Sequence, residues 1–182
     1  MRLFTALDLP HEIVTRLEQL IARLKPAARI HWSPPANLHV TIKFIGHWPD
    51  ERLDELKKSL ASIPSRPPID AHIHGVGFFP NAKSPRNFWC GIDAPGLSEL
   101  ASDTDAATAA LGIASEKRAY SPHLTLARIK ERLDLRPLHG RISEEDLNFG
   151  QFQARSFFLY HSQLKRTGSV YTKLAEFPLT HT

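Results

Sequence analysis

Leu38-His39-Val40-Thr41-Ile42-Lys43-Phe44 alternates apolar with polar residues, and Pro122-His123-Leu124-Thr125-Leu126 repeats the His-x-Thr pattern far along the chain. A β-strand repeats its side-chain direction every two residues. The first stretch is therefore expected to bury 38, 40, 42 and 44 while His39, Thr41 and Lys43 share the opposite face. Leu124 and Leu126 bracket Thr125 in the same way. Each stretch then displays an imidazole beside a hydroxyl. Imidazole carries protons near neutral pH, and a hydroxyl donates a hydrogen bond to developing negative charge. Two such pairs suit phosphoryl chemistry without a metal. The bare string recurs by chance in a chain rich in His and Thr, so its weight rests on its surroundings.

Those surroundings repeat. Leu3 to Leu7 is an apolar run ending at Asp8-Leu9-Pro10, and Ile13, Val14, Leu17, Leu20, Ile21 and Leu24 then fall on one face of a helix. Asp8 and Pro10 suit its start and Pro26 its end. The His39 strand follows. In the second half Phe88-Trp89-Cys90-Gly91-Ile92-Asp93 precedes a helical pattern of Leu97, Leu100, Ala101, Ala107 and Leu111, and then the His123 strand. Asp8 precedes His39 by 31 residues and Asp93 precedes His123 by 30. A further strand is expected near Ile69 and its counterpart near Phe152, 30 and 29 residues beyond the respective His. The unit is used twice with a period near 84. The expected fold is α+β, a single domain over 1–182 built of two similar lobes, approximately 1–85 and 86–182. Antiparallel-rich sheets, helices outside and a central cleft between His39 and His123 complete it. Exchange of strands between the lobes is left open.

Composition narrows the setting. The chain has 182 residues, 42% hydrophobic and 23% charged, which is ordinary for a globular protein. No run of about 18 apolar residues suggests a membrane span, and the N-terminus lacks a signal-peptide core. The lone Cys90 excludes an internal disulfide and fits a reducing, cytoplasmic setting as a buried thiol. A net charge of +4 favours an anionic ligand such as nucleic acid. Lys83, Arg86, Arg128, Lys130, Arg132, Lys165 and Arg166 lie in expected loops or strand ends, either gathered around a cleft or simply solvated. His72-Ile73-His74 shares one strand face but has no evident third ligand, so no metal and no cofactor is expected. Phe44 and Trp32 are candidates to stack a terminal base, although core packing is the simpler expectation for Phe44, and Tyr171 is a candidate cleft residue. A short helix is expected near Ser143 to Leu147 in the otherwise irregular stretch from Lys130 to Gly150.

The chain resembles the two-histidine (2H) phosphoesterases, specifically the RNA 2′,3′-cyclic phosphodiesterase branch, also called 2′-5′ RNA ligase-like proteins. The resemblance runs through Arg2-Leu3-Phe4-Thr5-Ala6-Leu7-Asp8-Leu9-Pro10, the block from Trp32 to Gly46, and Phe79-Pro80-Asn81-Ala82-Lys83-Ser84-Pro85-Arg86. It continues in Pro122-His123-Leu124-Thr125-Leu126-Ala127-Arg128 and ends at Gly168-Ser169-Val170-Tyr171. It implies opening of an RNA 2′,3′-cyclic phosphate end, or of a cyclic nucleotide, to a 2′-phosphomonoester. His39 would be the proton donor to the leaving 3′ oxygen and His123 the base that activates water. Thr41 and Thr125 would donate hydrogen bonds to the phosphate, and Arg128 would lie beside it. Residue 128 has the parity of Leu124 and Leu126, so reaching the site requires a bulge, twist or strand end. Nothing demands more than a monomer or implies a membrane. Two rivals stay open: a reversible 2′-5′ RNA ligase joining cyclic phosphate and 5′-OH ends with the same groups, and a non-catalytic RNA-end binding module.

Overall fold

The computed structural model describes residues 1–180. In chain order the elements are β1 (Arg2–Leu7), α1 (His11–Leu24), β2 (His31–Trp32), β3 (Val40–His47), α2 (Leu53–Ala61), β4 (Ile69–Phe79) and β5 (Asn87–Asp93). There follow α3 (Leu97–Ala109), β6 (His123–Arg128), the single turn α4 (Arg136–His139), β7 (Asn148–Ala154), β8 (Ser156–Lys165) and β9 (Gly168–Pro178). The expected α+β class and antiparallel sheets are what the chain forms: every strand pair is antiparallel.

Four strands form one sheet in the order β3-β1-β8-β9, and five form the other in the order β2-β6-β5-β4-β7. The triplets β3-β1-β8 and β6-β5-β4 correspond, each with a motif strand beside a strand that opens a half. The strand near Phe152 needs correcting. Phe152 lies inside β7, which pairs with β4 through Ala71 and is its neighbour, while the counterpart of β4 by sheet position is β8. Similar offsets mislead because β7 and β8 are separated by a single residue, Arg155. The helix α2 is an addition to the expected elements, although Leu53, Leu56 and Leu60 are spaced three and four apart and the last two are fully buried.

Burial explains the placement of the elements. The buried face of α1 is Ile13, Leu17, Leu20, Ile21 and Leu24, as its spacing predicts, and Pro26 falls in a short 3₁₀ turn that closes it. β1 is buried on both faces because it lies inside its sheet with a cluster on either side. Leu3 and Leu7 enter the main core, while Phe4 and Ala6 join Tyr160 on the opposite face.

The alternation in the two motif strands breaks at one equivalent point. Ala6 and Thr5, adjacent on β1, pair with Thr41 and Lys43, so Ile42 is an extra residue on β3. Trp89 and Phe88, adjacent on β5, pair with Thr125 and Ala127, so Leu126 is extra on β6. Each β-bulge reverses the side-chain parity after its threonine. Lys43, expected beside His39, is instead buried at 6% exposure, and Phe44, expected in the buried set, is 58% exposed.

Lys43 is tolerated inside because it is paired. Its ammonium lies 2.5 Å from Asp105 of α3 and donates to the Ala114 carbonyl at 2.8 Å. Burial works to raise the Asp105 carboxyl, yet the hydrogen bonds from Lys43 and the Glu116 backbone amide leave it below the ordinary carboxylate range. The pair ties the motif strand to α3 of the other half. Asp105→Ala, which strands a buried ammonium, should cost about 3 kcal/mol in denaturant unfolding, and Lys43→Met distinctly less. Equal costs for the two variants would contradict a buried, charge-paired lysine.

Candidate active site

The segment leading to His39 is stitched to the second half before the histidine is reached. Ser33 donates from its backbone amide to the Leu126 carbonyl at 2.8 Å and from its hydroxyl to the Thr125 carbonyl at 2.9 Å. Asn37 donates to the Ser169 carbonyl at 2.8 Å. In return Tyr120, three residues before His123, donates its phenol to the Thr41 carbonyl at 2.7 Å. β3 and β6 are in contact. The structure thus brings the two motif strands side by side.

Both imidazoles are held alike. The Nδ1 of His39 is 2.6 Å from the Asn37 carbonyl, and the Nδ1 of His123 is 2.8 Å from the Ser121 carbonyl, in each case two residues back. A carbonyl only accepts, so each Nδ1 carries the proton and each Nε2 is left with its lone pair when the ring is neutral. The Nε2 of His39 accepts from the Thr41 hydroxyl at 2.9 Å. Thr125 accepts at its own hydroxyl oxygen from Asn87 at 3.2 Å, which leaves its proton free to point elsewhere.

The surroundings of His39 are aromatic. Its ring lies 4.8 Å from Phe4 and 5.3 Å, edge-on, from Tyr171. Phe4 stacks on Tyr160 at 5.2 Å and lies 6.1 Å from the exposed Phe44. The bulge at Ile42 puts Phe44 on this face, and its counterpart at Leu126 does the same for Arg128, whose charge is felt at His39. Trp32 is placed differently: its indole donates to Ala28 and its ring meets Phe88 edge-on, so it packs against the core. Burial holds the His39 imidazole below its usual value; the Asn37 carbonyl and the Asp8 carboxylate oppose that, and the Arg128 guanidinium adds to it.

Several residues around His39 carry no signal in the sequence. Asp8 suits a helix start, yet its carboxylate accepts from the Tyr160 phenol and is ion-paired with Lys173. Tyr120, Ser33 and Asn87 look like ordinary loop and strand residues until the partner strand is known. Lys83 and Arg132 line a recess of about 290 Å³ with Ser84, Leu133 and Asp134. His72 and His74 lie ring to ring at 4.6 Å, with the Nε2 of His72 3.0 Å from Asn148. Among the described residues no third ligand gathers with them. Burial pushes the Cys90 thiol up to about 12, so it is not a nucleophile near neutral pH.

The LigT-like phosphoesterase family model matches residues 7–89 and 92–171, the first segment containing His39 and the second His123. The chain belongs to the LigT-like phosphoesterases, a 2H phosphoesterase family. The RNA 2′,3′-cyclic phosphodiesterase of Methanocaldococcus jannaschii is 34% identical over 177 residues, 97% of this chain and 99% of that one. TT0787 of Thermus thermophilus superposes with a TM-score of 0.82 at 31% identity over 98% of both chains. LigT of E. coli in complex with 3′-AMP superposes with a TM-score of 0.82 at 28% identity over 99% of this chain and 98% of that one. The chain is a phosphoesterase of this family.

In an NMR titration of the free protein, His39 should change charge below 6.5, the ordinary imidazole value. Arg128→Ala should move that midpoint upward, since a cation that disfavours imidazolium is lost. A midpoint above 6.5, or one indifferent to Arg128, would contradict the burial and charge described here.

Proposed function

We propose that this phosphoesterase hydrolyses the 2′,3′-cyclic phosphate at the end of an RNA, or of a cyclic nucleotide, to a 2′-phosphomonoester, using His39 and His123 and no metal. The observation that carries the reading is the matched anchoring of the two rings, each fixed through Nδ1 so that Nε2 is the proton-transferring position, with that of His39 beside the Thr41 hydroxyl. Water attacks phosphorus as His123 takes its proton at Nε2; the bond from phosphorus to the 3′ oxygen breaks as His39 delivers a proton to that oxygen. Solvent restores both rings. The hydroxyls of Thr41 and Thr125 and the Arg128 guanidinium meet the charge that builds on the non-bridging oxygens. Phe44 and Tyr171 supply flat apolar surface for the terminal nucleoside.

Names borne by relatives support the substrate class: several are RNA 2′,3′-cyclic phosphodiesterases, and one relative was solved with a 3′-nucleotide. Because both motifs come from one chain, a monomer suffices. We place the reaction in the cytoplasm, where the free Cys90 stays reduced. Among the described residues no helix is long and apolar enough to cross a membrane.

An oligoribonucleotide ending in 2′,3′-cyclic phosphate, incubated with the protein in excess EDTA, should yield a 2′-phosphate end. His39→Ala and His123→Ala should each lower kcat by on the order of 10²–10⁴-fold. A 3′-phosphate product would reverse the geometry, and an absolute need for divalent metal would remove the mechanism. Joining to an added 5′-OH RNA in preference to hydrolysis would favour the ligase reading, and undiminished activity in both variants would leave the histidines without a catalytic role.

A further inference from the structure

The two histidines are anchored alike but face different neighbours across their strands. Leu7 pairs with Val40 at the end of the β1–β3 ladder, and one step further along lie Asp8 and His39. In the second half His123 pairs with Gly91. A side chain cannot stand there, because a Cβ on Gly91 would come within 2.6 Å of the His74 carbonyl oxygen. Asp93, which stands near the expected spacing, is two residues beyond Gly91 and pairs with His72. One imidazole therefore has a carboxylate across the strand and the other has bare backbone.

The Asp8 carboxylate is held by two partners. One carboxylate oxygen accepts from the Tyr160 phenol, whose proton burial and the carboxylate itself hold in place well above the ordinary tyrosine range; the other is paired with Lys173, which also lies 3.9 Å from the Phe158 ring. The charged and titratable groups shown to act on or touch His39 are Asp8 just beyond β1, Arg128 from β6 and Tyr171 from β9, while Tyr160 from β8 and Lys173 from β9 meet Asp8. Asp8 is the one anion among them.

We infer that Asp8 is a positioning residue that commits His39, and not His123, to the proton-donor role by setting a fixed negative charge opposite its imidazolium. This rests on the reaction proposed above and adds what that reading lacks, a reason within this chain for the direction of proton flow. A nearby carboxylate favours the imidazolium that a proton donor must be at the start, whereas a base must enter the reaction unprotonated and is more readily neutral without one.

The test uses the full chain with Asp8→Asn, which keeps the acceptor for Tyr160 and removes the charge, and Lys173→Met, which removes the cation that offsets it. In NMR titrations the His39 midpoint should fall in Asp8→Asn and rise in Lys173→Met, with the His123 midpoint unmoved in both. For a proton donor, kcat/KM near pH 8.5 scales with the protonated fraction of His39. Asp8→Asn should therefore lose roughly three- to tenfold there, with the loss shrinking as the pH falls toward the acid end. A gain near pH 5 with no loss near pH 8.5 would show His39 to be the base and overturn the inference. An unmoved midpoint, or an equal loss at every pH, would reduce Asp8 to a structural role and overturn it too. These outcomes are separate from those of the reaction itself, which fails if His39→Ala and His123→Ala stay active, if divalent metal is required, or if the cyclic phosphate is not opened to a 2′-phosphate.

Discussion

One backbone irregularity, used twice, governs the arrangement of this molecule. A regular strand that puts His and Thr on one face puts the fifth residue after the His on the other. By inserting Ile42 or Leu126 immediately after the threonine, each half corrects that parity and brings Phe44 or Arg128 to the side of the imidazole. The same insertion turns two successive side chains inward, Ile42 with Lys43 and Leu126 with Ala127, all of them buried. In the second half the extra inward residue is a small alanine. In the first it is a lysine, and the fold must then supply Asp105 and the Ala114 carbonyl from α3 and just beyond it. The bulge thus shapes the site on one face and the cross-half packing on the other.

What the sequence made legible follows from this. Periodicity identifies α1, α3 and the motif strands, and the duplication is visible in the recurring order of apolar runs. An irregularity in the second motif strand is foreshadowed by the parity of Arg128, but the bulge at Ile42 is not legible, because an extra residue in a strand leaves the alternation of residue types untouched: Phe44 continues a perfect apolar series and is nevertheless exposed. Only the register against β1 reveals it. The pairing of β4 with β7 is obscured for a related reason, since spacing along the chain records the order of strands and not their neighbours. α2 is a different case. Its leucines are spaced as a helix requires, but the segment is short and lies where the repeated unit needs only a connection.

The candidate site is legible to the same extent. The histidines and threonines stand out because each pair recurs at short range in the chain. Asp8, Tyr160 and Lys173 do not, because they come from the end of one strand and from two others that meet it only in the folded sheet, and have no spacing in common. Asp8 also offers a sufficient local explanation, as the start of a helix, and a residue with one adequate role invites no search for a second. The structure weakens that explanation: the N-cap of α1 is Pro10, with no side-chain cap, and the Asp8 carboxylate is directed at β8 and β9.

Duplication explains why the two imidazoles are held by the same device, a carbonyl two residues back, but it poses a chemical problem. On the proposed reaction, two identical proton carriers on either side of a phosphate would have no preferred direction, and opening a cyclic ester toward one particular oxygen would require one. The difference between halves must therefore come from positions where the copies have diverged, and few positions lie near enough to matter. Lys43 against Ala127 differs on the buried face, remote from the reacting groups. Phe44 against Arg128 differs on the site face, but the cation disfavours imidazolium at His39 and so opposes the donor role proposed for it. Asp8 against Gly91 works in the other direction, and the close approach of the His74 carbonyl forbids any side chain at the glycine. On the proposed reaction, Arg128 serves the phosphate at the expense of His39, and the Asp8 carboxylate offsets that effect.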